Sequence, residues 1–409
     1  MDLFDGRRRR LLQLAGVSPA IALMGPACAQ QSGGSGMNAE GQPMPARVRL
    51  PSAPQEKGRS DSVGVAIVGL GGFALNQMMP SFARAGRAHI AGLVSGNAEK
   101  AKRVGDAYGV PEDARYSYET FDQIASDERI EAVYIVLPNG LHADWTEKAF
   151  AAGKHVLCEK PMALSSEECE RMMAAARAAD RKLMVAYRCH FEPYNLKAMA
   201  LMDDEAVGAI RLIRTEQHYV MGPTSPRENW RANRALAGRG PLEDYGIYGL
   251  QSALYLSNEM PHTIQAYTQQ PDNDPRFEDI VASVQTQMQF PSGAVAQLST
   301  SYDTQGANRV MVQGRAGTLE MDPATSYEGI QMSLRRGRSV EAFSPGDTGT
   351  QFAAQLDHFA DAIRDNVDLR TPGAMGLRDI RLIEAIYAAA ETGAPVALLP
   401  DGRMKPGGG

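Results

Sequence analysis

A lysine, an aspartate and a tyrosine of this 409-residue chain have the types and settings of proton-transfer groups. Asp244 and Tyr248 are four residues apart and would share one face of a helix. A tyrosine hydroxyl can exchange a proton with an alcohol or a carbonyl, provided that a cation brings its pKa toward neutrality. Lys160, which follows an apolar run and precedes Pro161, is the candidate cation. We therefore predict acid–base chemistry at Tyr248. The alternatives are a solvated lysine and a surface Asp–Tyr hydrogen bond.

The Lys160–Pro161 bond is expected to be cis, because the lysine must turn into a cleft within one residue of the strand.

A second chemical feature is the glycine turn in residues 65–74, where an apolar strand meets Gly69, Gly71 and a helix-compatible segment. Gly69 would permit a tight turn, Gly71 would leave room for a pyrophosphate, and Ala74 would let helix and strand pack closely. The free N–H groups of a helix N-terminus would then face the phosphate. A glycine turn before an ordinary surface helix is the alternative. The pattern predicts a dinucleotide site.

The end of the next apolar strand indicates which dinucleotide binds. An acidic residue is expected about 20 positions past the glycines to hold an adenosine ribose hydroxyl, but the chain has Ser95-Gly96-Asn97 there, followed by Lys100. A hydroxyl, an amide and a lysine suit a 2′-phosphate through charge-assisted hydrogen bonds. We therefore predict NADP rather than NAD, the alternative being a solvated lysine-rich helix face.

A third turn, Leu137-Pro138-Asn139, follows a later strand and would place the Asn139 amide near the nicotinamide ribose. The alternative is that Asn139 caps the next helix, because asparagine is a favoured N-cap.

The candidate residues can act together only if strands and helices bring them to one edge of a sheet. Short apolar runs at 65–68, 89–94, 132–137, 155–157 and 183–186 alternate with helix-length segments, which predicts βαβ units and a parallel sheet. Ligands of such sheets lie beyond the carboxyl ends of the strands.

Past residue 205 the pattern changes to the alternation of antiparallel strands, clearest from Ile280 to Phe290. We expect further strands at 209–220, 263–269, 294–302 and 308–321, and helices at 351–366 and 376–392 that cover one face of the sheet. The fold class is α/β plus α+β: an N-terminal Rossmann domain and a C-terminal open, mostly antiparallel sheet domain. The predicted segments are a signal peptide (1–29), an extended arm (30–62), the NADP-binding domain (63–187), a substrate and oligomerisation domain (188–400) and a tail (401–409).

Composition is ordinary for a globular protein, with 44% hydrophobic and 22% charged residues, so two cores can form. The net charge of −6 argues against a nucleic-acid partner. No grouping of cysteine and histidine has zinc-site spacing, so no metal is predicted. Cys158, Cys169 and Cys189 are expected to be buried free thiols. The alternative is that Cys158 and Cys189, at the ends of consecutive strands, approach each other.

The N-terminus has the three parts of an export signal: Arg7–Arg10, an apolar run to Met24, and Ala27-Cys28-Ala29. The arginine pair resembles a twin-arginine signal, whose route carries folded proteins. We expect periplasmic localisation and no membrane association after cleavage. A disordered basic tail and a lipidated Cys28 are the alternatives.

Four motifs together resemble the Gfo/Idh/MocA oxidoreductases: Gly69-Leu70-Gly71, Glu159-Lys160-Pro161, Tyr187-Arg188-Cys189-His190 and Asp244-Tyr245-Gly246-Ile247-Tyr248. Within that family, the stretches 74–77, 94–102 and 321–325 resemble the glucose-fructose and aldose-aldose oxidoreductase subfamily. The resemblance extends over about residues 45–400. It implies catalytic roles for Lys160, Asp244 and Tyr248. The cofactor contacts expected in addition to those above are Leu70, Gly72, Phe73, Gly96, Tyr118, Leu137, Pro138, His142, Glu159, Lys160, Arg188, Trp230, Arg231 and Tyr327.

The resemblance also implies the reaction and the assembly. NADP would stay bound while one sugar is oxidised at C1 to an aldonolactone and a second sugar is reduced to an alditol. The chain would form a homodimer or homotetramer, with the arm laid across another subunit. The chain departs from the family at Tyr245, at 224–227 and at 334–350, regions expected to shape the sugar pocket. The resemblance therefore does not identify the two sugars. A dehydrogenase that releases NADPH each turnover and a non-catalytic NADP-loaded binding protein are the alternatives.

Overall fold

A computed structural model of the chain describes residues 61–223 and 229–406. The predicted signal peptide, nearly all of the predicted arm, residues 224–227 and the last three residues lie outside the described residues.

The N-terminal domain is built on a parallel sheet of six strands in the order β3-β2-β1-β4-β5-β6. The strands are β1 (Val63–Val68), β2 (Ala88–Val94), β3 (Arg115–Tyr116), β4 (Ala132–Ile135), β5 (His155–Cys158) and β6 (Leu183–Val185). β1 is buried along its whole length, because helices cover both faces of a parallel sheet. The prediction of a parallel sheet is confirmed. The short strand β3 was not predicted, since two residues carry no periodicity.

Helical segments connect these strands. After the glycine turn the chain forms a π-helical turn (Ala74–Met78), a short α1 (Met79–Ser81) and a 3₁₀ turn (Phe82–Arg84). The longer helices of this domain are α2 (Ala98–Tyr108), α3 (His142–Ala151) and α4 (Ser166–Ala179).

The second domain has a nine-stranded sheet in the order β14-β13-β12-β11-β7-β10-β9-β8-β15. Its strands are β7 (Ile210–Val220), β8 (Thr263–Gln269), β9 (Ser283–Gln289), β10 (Val295–Ser301), β11 (Asp303–Gly314), β12 (Thr318–Met321), β13 (Met332–Arg336), β14 (Ser339–Phe343) and β15 (Val396–Ala397). All neighbours are antiparallel except β7 and β10, so the predicted mostly antiparallel sheet is confirmed.

Buried and exposed residues alternate around β9 as predicted. Ile280, Val284 and Phe290 are buried, whereas Gln285 and Gln287 are exposed. The single strand predicted at 308–321 is wrong, because the chain turns at 315–317 and forms β11 and β12 as a hairpin. Strands β13, β14 and β15 were not predicted.

The helices of this domain are α5 (Pro193–Asp203), α6 (Arg234–Ala237), α7 (Ile247–Ser257), α8 (Gln351–Arg364) and α9 (Gly373–Thr392). α9 packs against β8 of the large sheet as expected. α8 does not cover that sheet, because Leu356, Phe359 and Ala360 bury their apolar stripe in the core of the N-terminal domain. The prediction for α8 is corrected accordingly: it joins the two domains.

Cys158, Cys169 and Cys189 are buried free thiols, as predicted. Among the described residues, no helix is long and apolar enough to cross a membrane, and no cluster of metal-ligating side chains is found.

Candidate active site

The glycine turn lies at the carboxyl end of the central strand β1. Gly69 has a φ of +97°, and a Cβ atom built on it would lie 2.3 Å from the carbonyl oxygen of Val136 at the end of β4. Its N–H donates to the carbonyl of Val94 at 3.0 Å. Gly69 therefore fixes a turn between three neighbouring strands, where no side chain fits.

Gly69→Ala tests this turn against Gly109→Ala. Both glycines have positive φ, but a Cβ on Gly109 would meet nothing within 4 Å. We expect Gly109→Ala to lower the free energy of unfolding by about 1–2 kcal/mol through backbone strain alone. Gly69→Ala should lower the free energy of unfolding by more than this and should also weaken the binding of added NADP, as measured by urea unfolding and by titration with the cofactor. Equal losses of stability, with the affinity for NADP unchanged, would contradict the assignment.

The end of β2 carries the residues predicted for the 2′-phosphate. Asn97 caps α2 by accepting the Lys100 N–H at 2.8 Å, and its own N–H donates to the Ser95 hydroxyl oxygen at 3.2 Å. The Lys100 ammonium reaches back to the Leu70 carbonyl at 3.4 Å, and burial lowers the pKa of this lysine. Three polar side chains thus gather beside the glycine turn.

Tyr118 lies across this corner. A Cβ on Gly96 would come within 3.0 Å of its ring, and the ring packs against Trp145 at a centroid distance of 5.0 Å. This aromatic surface beside the three polar groups is suited to one side of an adenine ring.

Two buried polar side chains hold the turn after β4. Asn139 is buried and its amide donates to the Ala237 carbonyl at 2.9 Å, and its side chain does not cap α3. His142 is fully buried, with its two ring nitrogens 2.8 and 2.9 Å from the carbonyl oxygens of Pro161 and Leu137. Both residues therefore hold loops together, and their contact with the cofactor stays a prediction. Leu137 and Pro138 are half-buried at the same edge.

The turn after β5 presents Glu159 and Lys160, and the Lys160–Pro161 bond is cis as predicted. Glu159 is buried and accepts the Tyr134 hydroxyl at 2.6 Å and the Lys160 N–H at 3.2 Å. Burial raises the pKa of Glu159, although the Tyr134 hydrogen bond and the Lys160 charge oppose this. The side chain of Glu159 thus anchors the loop that carries Lys160.

Lys160 and Asp244 meet across the domain boundary. The Lys160 ammonium donates to the Asp244 carbonyl oxygen at 2.5 Å and lies 3.4 Å from its carboxylate Oδ1. Asp244 belongs to a π-helical turn (Leu242–Gly246) that runs directly into α7, which carries Tyr248. The predicted grouping of these three side chains is therefore present in the structure.

The other oxygen of Asp244 is surrounded by donors. Its Oδ2 accepts from Arg231 Nε at 3.1 Å, from the Tyr302 hydroxyl at 3.0 Å and from the Tyr219 hydroxyl at 3.3 Å. Burial alone would raise the pKa of Asp244, but the charges of Arg231 and Lys160 and these hydrogen bonds hold it below its ordinary value. Asp244 is therefore an anion that organises the site and not a proton acceptor.

Tyr248 contacts two cations. Lys160 lies over its ring at 4.9 Å from the centroid, whereas Arg188 Nε donates to its hydroxyl at 3.3 Å. Burial raises the pKa of Tyr248 and Arg188 partly offsets this. The expectation that Lys160 brings the tyrosine toward neutrality is thus not met: the ammonium is held by Asp244, and the cation at the hydroxyl is Arg188.

Five more of the predicted residues stack on one another. The Arg188 guanidinium stacks on Tyr327 at 4.4 Å, and Tyr327 in turn packs against Phe73 at 6.4 Å. Trp230 stacks with Arg231 at 4.5 Å.

Sequence reasoning missed Tyr219, Tyr302 and Tyr134. They lie near the ends of strands or within them, and nothing in their spacing points to Asp244 or Glu159. The hydroxyl of a tyrosine inside an apolar pattern is the one available signal, because a buried phenol needs a partner.

NADP fits these residues. The backbone at Gly69 and its neighbours would face the pyrophosphate, Ser95, Asn97 and Lys100 would hold the 2′-phosphate, and no carboxylate stands at the end of β2 to repel it. The nicotinamide end would face Lys160 and Tyr248 at the edge of β5.

Residues 63–187 match the oxidoreductase family with an NAD-binding Rossmann fold, and residues 200–398 match the C-terminal alpha/beta domain of the same family. The chain is 30% identical to a D-xylose 1-dehydrogenase (NADP(+)) of Haloferax volcanii, covering 81% of this chain and 98% of that protein. It is also 30% identical to a D-xylose 1-dehydrogenase [NADP(+)] of Haloarcula marismortui, over 84% of this chain and 96% of the other.

Among solved structures, an aldose-aldose oxidoreductase from Caulobacter crescentus complexed with glycerol is similar, with a TM-score of 0.79 and 43% identity. The match covers 82% of this chain and all of that one.

Proposed function

The chain belongs to the Gfo/Idh/MocA oxidoreductase family, and from this premise we propose that it is an NADP-dependent sugar oxidoreductase with a retained cofactor. One aldose is oxidised at C1 to an aldonolactone, and a second sugar, an aldose or a ketose, is reduced to an alditol. The observation that carries the proposal is the grouping of Tyr248, Lys160 and Asp244 at the edge where the nicotinamide would lie. The similarity to an aldose-aldose oxidoreductase supports the choice of reaction.

Tyr248 is the acid–base group. In the oxidation its deprotonated oxygen takes the proton of the sugar C1 hydroxyl, and in the reduction the hydroxyl so formed returns a proton to the carbonyl oxygen of the second sugar. NADP, when bound, supplies the acceptor and donor of the hydride. One tyrosine therefore serves both half-reactions in opposite directions.

Lys160 and Asp244 position the sugar. The Lys160 ammonium is aimed by the carbonyl and carboxylate of Asp244 and lies over the Tyr248 ring, so it can donate a hydrogen bond to the reacting sugar oxygen. Asp244 stays ionised and keeps the ammonium in place.

The second candidate is a dehydrogenase that releases NADPH at each turnover. The two relatives named as NADP(+)-dependent D-xylose 1-dehydrogenases favour it. Retention of the cofactor is favoured by the predicted export signal, since a protein exported in folded form would carry its NADP to a compartment without a free pool. We propose periplasmic localisation from the predicted export signal, and a homodimer or homotetramer from the family resemblance.

Cofactor content after dialysis separates these two functions. We expect about one NADP per chain to remain on purified protein, and activity to need no added cofactor. Protein that dialyses free of NADP and then requires it in the assay would contradict retention and favour the dehydrogenase.

Ser95→Asp tests the 2′-phosphate site. A carboxylate beside the Asn97 N–H would repel the phosphate, and we expect NADP affinity to fall roughly tenfold or more, with NAD affected less. Ser126→Asp, the same change at an exposed 3₁₀ turn, is the matched control. Isothermal titration of both cofactors measures the effect. An unchanged NADP affinity in Ser95→Asp would place the phosphate elsewhere.

A further inference from the structure

Arg188 is a buried cation whose hydrogen-bond partners among the described residues are all neutral. Arg188 is only 4% exposed to solvent. It donates to the Tyr248 hydroxyl, to Gln351 Oε1 at 2.6 Å and to the Thr325 carbonyl. Within residues 61–223 and 229–406, no carboxylate forms an ion pair with it, unlike Lys160 and Arg231, which both pair with Asp244. A buried charge without a counter-ion is costly, so this site favours the appearance of an anion.

The guanidinium cannot leave this position easily. It lies between two aromatic rings, 4.7 Å from the centroid of Tyr248 and 4.4 Å from that of Tyr327. Gln351, which holds it, is itself fixed by donating to the Tyr327 and Thr348 carbonyls at 3.1 and 2.9 Å. The charge is therefore fixed against the Tyr248 hydroxyl before any ligand binds.

Lys160 is the other cation near Tyr248 and is less suited to the same task. Its ammonium is neutralised in part by the Asp244 carboxylate and lies over the ring face. Arg188 acts on the oxygen atom itself, without a competing carboxylate. The guanidinium charge attracts the negative oxygen of a tyrosinate more strongly than the oxygen of a neutral hydroxyl, so Arg188 favours the tyrosinate over the tyrosine.

We propose that Arg188 is a further catalytic residue, which stabilises the tyrosinate form of Tyr248 and thereby sets the pH range in which Tyr248 accepts a proton from the sugar. Tyr248 first loses its proton to solvent, and the tyrosinate oxygen then takes the C1 hydroxyl proton as the hydride leaves C1 for NADP. Arg188 keeps its own protons throughout. This inference rests on the proposed acid–base role of Tyr248.

Several other groups face Tyr248 and contribute to its titration. Burial and the nearby Cys189 and Glu159 raise its pKa, and Arg188 lowers it. The charged and titratable side chains around Tyr248 are Tyr134, Glu159, Lys160, Arg188, Cys189, Asp244, Tyr245 and Tyr327.

Arg188→Gln in the NADP-loaded enzyme tests the proposal. The half-reaction is followed as the reduction of bound cofactor by an aldose over a range of pH. Loss of an opposite charge at this distance should raise the apparent pKa of the base by roughly 1–3 units. At a pH below that pKa, each unit lowers the rate about tenfold, and the rate should recover as the pH rises. Tyrosinate absorbance in the near ultraviolet, taken as the difference from Tyr248→Phe, should show the same shift without turnover.

The matched control is Arg370→Gln. Arg370 donates to the His190 carbonyl at 2.9 Å in the same 3₁₀ turn (Arg188–Phe191) and has no contact with Tyr248, so the pKa should stay unchanged. Should Arg188→Gln not accumulate as folded holoenzyme, Arg188→Lys replaces it. The compact lysine ammonium lacks the stacked, forked geometry of the guanidinium. The apparent pKa of the base should therefore still rise above that of the unmutated enzyme, though by less than in Arg188→Gln.

The outcomes are separable. A uniform loss of rate at every pH, with the apparent pKa unchanged in the kinetics and in the tyrosinate spectrum, would overturn the role of Arg188 and leave that of Tyr248 intact. If Tyr248→Phe itself retains the rate, the proposed function fails first, whatever Arg188→Gln does.

Discussion

Tyr248→Phe is expected to slow both half-reactions by a factor of roughly 10²–10⁴, the usual contribution of a positioned acid–base group. The change removes one hydroxyl from the proton path. It leaves the residues beside the glycine turn untouched, so NADP should stay bound. Rapid mixing of holoenzyme with an aldose, and of reduced holoenzyme with a second sugar, measures the two steps separately.

The control for this variant is Tyr255→Phe on the same helix. The Tyr255 hydroxyl donates to Asn195 Oδ1 at 2.6 Å, away from the cleft, so its loss should affect stability slightly and the rates very little. A Tyr248→Phe enzyme that keeps most of its rate with an aldose would show that the proton goes elsewhere. Asp244 is then a poor substitute, because its neighbours hold its pKa below its ordinary value. Buried His190 would be the next residue to replace.

Asp244→Ala should give the largest loss of stability. The carboxylate is 16% exposed and accepts from Arg231, Tyr302 and Tyr219, and it also faces Lys160. Its removal leaves two cations without their anion, and breaking such a buried pair costs about 3–5 kcal/mol. Because Arg231 is 36% exposed and can turn to water, we expect about 3 kcal/mol, measured by urea unfolding of the holoenzyme.

Asp322→Ala provides the comparison. Asp322 pairs with Arg309 at 2.7 Å, but both side chains are 45% exposed, and exposed ion pairs contribute only about 0–1 kcal/mol. Similar losses for the two variants would mean that Asp244 is not the buried organising anion described above. Asp244→Ala should also lower activity, because the Lys160 ammonium loses both its carboxylate partner and its fixed direction.

The sequence predicted those parts of the fold whose residues repeat with a clear period. The buried strands of the parallel sheet and the alternation around β9 are examples, because one or both faces of each strand must be apolar. The short strands β3 and β15 have two residues each and leave no such pattern. The helix α8 was predicted correctly, but its packing was assigned to the wrong domain. An apolar stripe on a helix does not indicate which of two hydrophobic cores the helix packs against.

The site was predictable to a similar extent. Local motifs identified Gly69, Lys160, Asp244 and Tyr248, because strand ends and helical spacing bring them to one edge. Which cation touches which oxygen could not be read from the sequence, since Lys160 and Arg188 both follow strands of the same sheet. Their separate partners, Asp244 and the Tyr248 hydroxyl, depend on contacts made across the domain boundary.

In the proposed reaction cycle, one sugar reduces the bound NADP and a second sugar oxidises it again. This cycle is tested most directly by the absorbance of purified, dialysed protein with no cofactor added, before and after glucose, and again after excess of a second sugar. We predict that the reduced-nicotinamide band rises to about one equivalent per chain with glucose and disappears with the second sugar, while the filtrate contains no NADPH. Absence of the band until NADP is supplied, or its appearance in the filtrate, would contradict the account.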